Sequence, residues 1–194
     1  MAFALLLTLL WAALAPTIAR RLGQQAGWIL ALGPAALFVW FVSQRAAAAE
    51  GVRDTVAWVP TLEVELSFLL DGLSLLFVLL ITGLGALIVV YAGRYLEGHR
   101  DLGRFFGILL AFLASMLGLV LSDNLLLLFI FWEGTSLCSY LLVGFKHETA
   151  KARKAALQAL LVTAGGGLSL LVGILLLGMA GGSYELSTLL TRTG

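Results

Sequence analysis

The sequence has few charged residues, few histidines and a single cysteine. Only 12% of its 194 residues are charged and the formal net charge is +1, which excludes the basic excess of a nucleic-acid-binding protein. The lone Cys138 supports neither a disulfide framework nor a cysteine metal site, and His99 and His147 are too few for an ordinary histidine site. No Ser/His/Asp set or nucleotide motif is present, so we expect no cofactor and no membrane enzyme.

Apolar residues make up 61% of the chain, which is typical of membrane proteins. The second of its long apolar stretches contains Pro34, which membrane helices tolerate. The first is followed by Arg20 and Arg21 and has no positive charge before it, which indicates a retained helix, not a signal peptide. The sequence therefore predicts an all-α polytopic membrane protein. Its six predicted transmembrane helices are 2–19, 26–43, 72–92, 105–121, 124–144 and 155–180.

Basic residues are concentrated in alternate connections between these stretches. Nine of the twelve lysines and arginines follow the first, third and fifth stretches, whereas Arg45, Arg53 and Arg192 lie in the remaining connections and the C-terminal tail. The positive-inside rule assigns the nine to the cytoplasmic side, so we expect both chain ends on the outer face.

The long outer loop, 44–71, contains a pattern typical of β-strands. In "TLEVELSF" (61–68) apolar and polar residues alternate with a period of two, and "TVAWV" (55–59) precedes it with Pro60 at the turn. A small β-hairpin is therefore predicted on the outer face. Asp71 begins the next helix as its N-cap, or else it lies at the mouth of an ion path. The sequence thus divides into two N-terminal helices (1–43), the outer loop (44–71) and the last four helices (72–194).

Small residues mark two helix faces that can approach a neighbour closely. Ala114 and Gly118 are four positions apart in the fourth stretch, and Gly165, Gly166 and Gly167 open a thin face on the sixth. The three glycines are not followed by the Lys-Ser or Lys-Thr of a phosphate loop. We interpret both groups as helix-packing sites.

One acidic residue lies within an apolar stretch. Ten of the eleven acids lie in loops or at segment ends, and Glu133 alone falls at mid-membrane depth, about nine residues into the fifth stretch. A charged side chain there costs roughly 2.5–3.5 kcal/mol. Because an apolar environment favours the protonated carboxyl, such a group suits proton uptake and release. The alternative is a structural glutamate that only hydrogen-bonds to a partner helix.

Polar residues on two helices are candidates for a path to Glu133. Ser136 and Tyr140 share its helix face by spacing, three and seven positions on. Lys154 and Gln158 lie one turn apart at the cytoplasmic end of the sixth stretch, although Lys154 also fits an interface anchor. No lysine or arginine within the six stretches lies deep enough to pair with Glu133, so an ion-pair partner must come from elsewhere.

Three segments together resemble a known family. They are "DGLSLLFVLLITGLG", "RFFGILLAFLASMLGLVLSDNLLLLFIFWEGTSLCSYLLVGF" and "GGSYELS". In this order they are similar to the large A-type subunit of the multisubunit Mrp sodium/proton antiporters and, less closely, to the antiporter-like membrane subunits of respiratory complex I. The likeness covers about residues 55–190.

The resemblance implies a function for the buried acid. The glutamate of the "FWE" motif is the family's protonatable residue, which corresponds to Glu133, and the family pairs it with a lysine on a later, broken helix. Relatives often carry a lysine near the position of Gln158. The family's proteins have many more than six helices, so the chain is expected to be a fragment or a separately encoded piece. The expected partners are other antiporter subunits, protons, sodium ions and the lipid of a prokaryotic inner membrane. A proton-pumping subunit of a redox-linked complex, or a purely structural subunit, remains the alternative.

Overall fold

A computed structural model describes residues 1–59 and 64–192 of the chain. Six of its helices are long and apolar enough to cross a membrane, one for each predicted stretch. These six are α1 (Ala2–Leu22), α2 (Ala26–Ser43), α4 (Gly72–Tyr95), α5 (Leu102–Leu121), α6 (Leu125–Val143) and α7 (Ala150–Gly181). The shorter elements are α3 (Arg45–Glu50), α8 (Leu186–Arg192) and the strands β1 (Val52–Val59) and β2 (Val64–Leu70). The predicted all-α membrane fold is confirmed.

The helix ends follow local capping chemistry. Helix α7 begins five residues before the predicted stretch, because the Thr149 hydroxyl accepts a hydrogen bond from the Ala152 N–H and caps the first turn (3.3 Å). Helix α2 continues through Pro34 without a break, as expected for a membrane helix. The short helices α3 and α8 were not predicted from the sequence.

The predicted hairpin is confirmed. Strands β1 and β2 pair antiparallel, with Val52 opposite Leu70 and Asp54 opposite Phe68. Phe68 and Leu70 lie two apart in β2 and are both buried against the helices, in a cluster that includes Leu117 of α5. The predicted turn residue Pro60 lies outside the described residues. We call the end of the bundle that carries this hairpin the hairpin side.

Small residues allow the helices to approach closely. Helix α1 packs against α5 and α2 against α4. At the α2–α4 crossing, a Cβ on Gly27 would lie 3.0 Å from the Cα of Gly93, so the two backbones are nearly in contact. Lipid chains are as apolar as leucine, so the bundle depends on such close packing and not on removal of apolar surface from water.

The predicted packing face on α5 is confirmed. Ala114 and Gly118 are both buried, and a Cβ on Gly118 would overlap the ring of Phe131 on α6. One turn further along α6, Gly134 faces Ser115, whose hydroxyl would lie 2.7 Å from a Cβ there. These contacts hold one face of α6 against α5 and leave Glu133 directed elsewhere.

Candidate functional site

Glu133 lies near the middle of α6. It follows Leu125, the first residue of the helix, by eight positions, or about 12 Å along a helix of about 28 Å. It is the only acidic residue within the six candidate spans. Its side chain is half-buried, and α6 exposes much of the surface that contacts neither α5 nor α7.

The carboxyl group of Glu133 is directed at α7. The atom closest to a Cβ built on Gly167 is Oε1 of Glu133, and the indole Nε1 of Trp132 lies 3.9 Å from the same point. Gly167 is buried by this contact, whereas Gly165 and Gly166 have nothing within 4 Å of a built Cβ. Only the last of the three glycines predicted as a thin face therefore meets a neighbouring helix among the described residues.

The two polar residues predicted on α6, Ser136 and Tyr140, lie between Glu133 and the end of the bundle opposite the hairpin. Ser136 is buried, and its hydroxyl donates to the carbonyl of Trp132 at 3.2 Å. Tyr140 is half-buried, one further turn along. Both remain on the helix segment that follows Glu133, although the Ser136 hydroxyl is used within its own helix.

The structure does not bring Lys154 and Gln158 next to Glu133. Helix α7 faces α6 through Ala156, whose Cβ lies 3.1 Å from a Cβ built on Gly144. Lys154 and Gln158 stand two residues before and after Ala156, about 200° away around the helix. Both side chains are exposed, on the side of α7 that faces away from α6.

The ion pairs of the described residues lie on the hairpin side. The N-terminal ammonium of Met1 pairs with Asp54 at 2.6 Å, and Arg53 pairs with Asp123 at 2.7 Å and with Glu185 at 3.4 Å. None of these pairs includes Glu133. Within the part of the chain that the structure describes, no group of three or more His, Cys, Asp or Glu side chains could hold a metal ion.

A further acid, Asp123, is fully buried, and its role was not predicted from the sequence. It precedes α6 by two residues, and its side chain is 1% exposed. Besides the Arg53 guanidinium, it accepts hydrogen bonds from the Ser187 N–H (3.0 Å) and hydroxyl (2.8 Å) and, at 3.4 Å, from the Ser67 hydroxyl. A buried carboxylate that is fully paired in this way satisfies the usual condition for burying a charge.

Asp123 connects four segments that are distant in sequence. Its N–H donates to the Ser67 carbonyl of β2 (2.9 Å), and its carbonyl accepts from the Leu186 N–H at the start of α8 (2.7 Å). The "SDN" and "GGSYELS" sequences therefore meet here, together with both strands of the hairpin. The only local signal was the two-residue gap between the fourth and fifth predicted stretches, which requires a tight polar turn.

Asp71 has the role of a helix cap. Its Oδ1 accepts a hydrogen bond from the Ser74 N–H at 2.7 Å, while the Ser74 hydroxyl accepts one from the Asp71 N–H at 2.8 Å. This reciprocal pair is a capping box at the start of α4. The prediction of an N-cap is confirmed.

Two family profiles match the sequence. Residues 122–193 match the family described as "NADH:quinone oxidoreductase/Mrp antiporter, TM". Residues 57–106 match "NADH-Ubiquinone oxidoreductase (complex I), chain 5 N-terminus". The first match contains both Glu133 and Gly167, and the second contains most of the hairpin and α4.

Individual relatives agree with these families. The A1 subunit of a Na(+)/H(+) antiporter from Staphylococcus haemolyticus is 41% identical over 97% of this chain and 24% of its own length. The A/B subunit of a probable K(+)/H(+) antiporter from Rhizobium meliloti is 46% identical over 70% of this chain and 14% of its own length. One polypeptide of the Mrp complex from Dietzia sp. superposes with a TM-score of 0.85 and 38% identity, over 97% of this chain and 20% of the other.

The resemblance seen in the sequence is thereby confirmed. The chain spans about a quarter or less of the length of the relatives it matches, so these similarities concern only one part of those proteins. Its six apolar helices agree with a multi-pass membrane protein. The chain belongs to the family of antiporter-like membrane subunits shared by Mrp antiporters and NADH:quinone oxidoreductase, and over most of its length it is homologous to the A-type subunit of Mrp antiporters.

Proposed function

We propose that this chain is part of a multisubunit cation/proton antiporter in which Glu133 takes up and releases protons. The observation that carries the proposal is the position of this carboxyl, the only acid within six candidate spans and about 12 Å along α6. An acid at such depth is costly and is retained where it has a function. Inward proton movement through Glu133 drives sodium outward through the complete complex.

The counter-charge of Glu133 comes from outside the residues that the structure describes. The carboxyl is half-buried, and none of the ion pairs among the described residues reaches it. An unpaired acid in lipid favours its neutral form, whereas a nearby positive charge favours the carboxylate. The approach or withdrawal of a lysine on a neighbouring helix would therefore control the release and uptake of the proton. Ser136 and Tyr140 continue from the acid towards the end opposite the hairpin and are our candidates for the water path. Lys154 and Gln158 face away from α6 and could take part only through a helix beyond α7.

We also propose that the hairpin side is the outer face. The N-terminal ammonium contacts the hairpin, so α1 starts on that side and ends with Arg20 and Arg21 on the other. The connections after α4 and α6 lie at the same end as these arginines and carry the remaining clustered basic residues. Single cysteines at Glu50 and at Glu97, in a Cys138→Ser background, would test this in intact cells. A membrane-impermeant maleimide should label Glu50→Cys alone, and the reverse pattern would invert the topology.

Two other functions remain in competition. The family profiles include complex I subunits, so a redox-driven proton pump has support from sequence. Antiporter relatives 41% and 46% identical favour the cation/proton exchanger. A purely structural role would not explain why a carboxyl group lies within a membrane helix at Glu133.

Growth in salt separates these functions. The complete complex with wild-type, Glu133→Gln or Glu97→Gln chains would be expressed in a bacterium that lacks its own sodium/proton antiporters. Glu133→Gln should abolish sodium tolerance at normal assembly, while Glu97→Gln, a change in an exposed loop, should behave as wild type. Parallel cultures at high potassium test whether the complex exports potassium, the ion named for the Rhizobium meliloti relative. Normal sodium tolerance of the assembled Glu133→Gln complex would reject the transport role.

A further inference from the structure

Helices α6 and α7 touch along one antiparallel stripe. Gly144, the residue that directly follows α6, meets Ala156 of α7, and Glu133 of α6 meets Gly167 of α7. The two contacts are eleven residues apart on each helix, which is close to three full turns, so both lie on the same face of each helix. Gly167 therefore stands directly opposite Glu133 in a regular helix pair.

The space next to Gly167 is filled by the glutamate carboxyl. Oε1 of Glu133 occupies the position that a side chain at residue 167 would need, so a Cβ there would overlap it. Gly167 lies within a regular helix, where its backbone conformation suits any residue. A side chain at residue 167 would therefore displace the carboxyl, which is the flexible end of Glu133, whereas the backbone of α7 itself does not call for glycine. At Gly165 and Gly166 the described residues leave open space around a built Cβ.

We propose that Gly167 is a positioning residue for the proton-binding carboxyl of Glu133. The missing side chain lets the carboxyl lie against the backbone of α7, at a fixed point between α6 and α7. A methyl group would turn the glutamate away from α7, towards the exposed face of α6. Displacements of about 1 Å can cost on the order of a hundredfold in rate when a reacting group must meet a partner in fixed geometry. This inference rests on the proposed function and adds a second residue to its site.

A matched pair of variants tests the proposal in the complete antiporter complex. Gly167→Ala and Gly166→Ala remove the same flexibility from α7 and add the same methyl group, but only the first meets Glu133. We expect sodium/proton exchange by Gly167→Ala to fall at least about tenfold, with its pH optimum moved by about half a unit or more. Gly166→Ala should keep the wild-type rate and pH profile. Equal behaviour of the two variants would overturn the proposal.

Shortening the acid gives an independent measurement. Aspartate at position 133 is shorter by one methylene, about 1.5 Å, and should no longer reach a Cβ on residue 167. Adding Gly167→Ala to Glu133→Asp should therefore cause no further loss of exchange. Multiplied losses in the double variant would show that the alanine acts by another route and would reject the positioning role.

Failure to assemble is also informative. If Gly167→Ala lowers the amount of assembled complex, Glu133→Ala in the same chain should restore it, since the overlapping side chain is gone. Lack of restoration would contradict the proposal.

The Glu133→Gln variant distinguishes failure of the proposed function from failure of the role of Gly167. Sodium/proton exchange that survives Glu133→Gln rejects the proposed function. Loss of exchange in Glu133→Gln together with normal exchange in Gly167→Ala rejects only the role of Gly167.

Discussion

Removal of the Asp123 carboxylate should destabilise the hairpin side of the bundle. Asp123→Ala takes away an acceptor that is 1% exposed and is bound by Arg53 and by two groups of Ser187. It also leaves the buried Ser67 hydroxyl without this partner. We expect β1, β2 and α8 to loosen from the start of α6 together, because all of them meet at this residue.

The magnitude follows from the contacts. Breaking a buried ion pair costs about 3–5 kcal/mol when the remaining charge has no other partner. Here Arg53 is 38% exposed and still reaches Glu185, so its charge does not become buried and unpaired. The loss then comes mainly from the two short bonds to Ser187, at about 1.5 kcal/mol each, which gives an expected destabilisation of about 3 kcal/mol. Asp123→Asn keeps the shape and one acceptor and should cost about half as much.

Unfolding of the chain in bicelles by steric trapping measures this free energy directly. Glu97→Gln, in an exposed loop, is the control and should change the free energy of unfolding by less than about 0.5 kcal/mol. A double-mutant cycle of Asp123→Ala with Ser187→Ala should give a coupling of about 1–2 kcal/mol. Asp123 would then be the joint of the hairpin side, meaning the residue that connects β1, β2 and α8 to the start of α6. A loss of unfolding free energy for Asp123→Ala no larger than that of the control, or additive effects in the cycle, would refute this assignment.

Three further predictions concern the ends and the packing of the helices. The N-terminal ammonium donates to Asp54 and holds the pKa of that carboxyl below its ordinary value of 3.8. The stabilisation by this pair is therefore present above about pH 4 and is lost as the pH falls through the lower pKa of the folded state. The free energies of unfolding of wild type and Asp54→Asn, measured as a function of pH, should therefore converge below pH 3.8. Asp71→Ala removes the cap of α4 and should cost about 1 kcal/mol in the same unfolding assay. Gly118→Ala would overlap the ring of Phe131 and should cost about 1–3 kcal/mol, whereas Gly173→Ala, with open space around it, should cost nothing.

The membrane helices were predictable because their signal is local and strong. Each candidate span coincides with a run of apolar residues, and only the ends moved, as at Thr149, where a side-chain cap extends α7 beyond the apolar run. The hairpin was predictable for the same reason, since alternating residues in β2 place Phe68 and Leu70 on one buried face. Helix α3 was missed because six residues carry too little periodicity, although its run of alanines favours a helix.

The site was predictable only in part. The depth of Glu133 follows from the length of the apolar run, but its direction depends on how α6 rotates against α5 and α7. That rotation is set by contacts such as Gly118 with Phe131, which join different helices and leave no periodic trace in one sequence. The same reason explains Gln158, because its position on the face of α7 that points away from α6 could not be read from its place in the sequence.

The Asp123 joint was hidden by sequence distance. Its partners Arg53 and Ser187 lie 70 residues before and 64 residues after it, so no local pattern connects them. From the sequence Asp123 counted as one of ten acids at segment ends. In the structure Asp123 differs from these other acids because it is buried, and a buried carboxylate needs a full set of hydrogen-bond donors.

The central claim is that the Glu133 carboxyl carries the proton. The most direct measurement is proton flux into proteoliposomes that contain the complete complex, driven by an imposed sodium gradient and followed with a pH-sensitive dye. Wild type should exchange sodium for protons, Glu133→Asp should retain a reduced rate, and Glu133→Gln, which cannot exchange a proton, should show no sodium-driven flux. Sodium-driven proton flux at the wild-type rate in the Glu133→Gln complex would contradict the account.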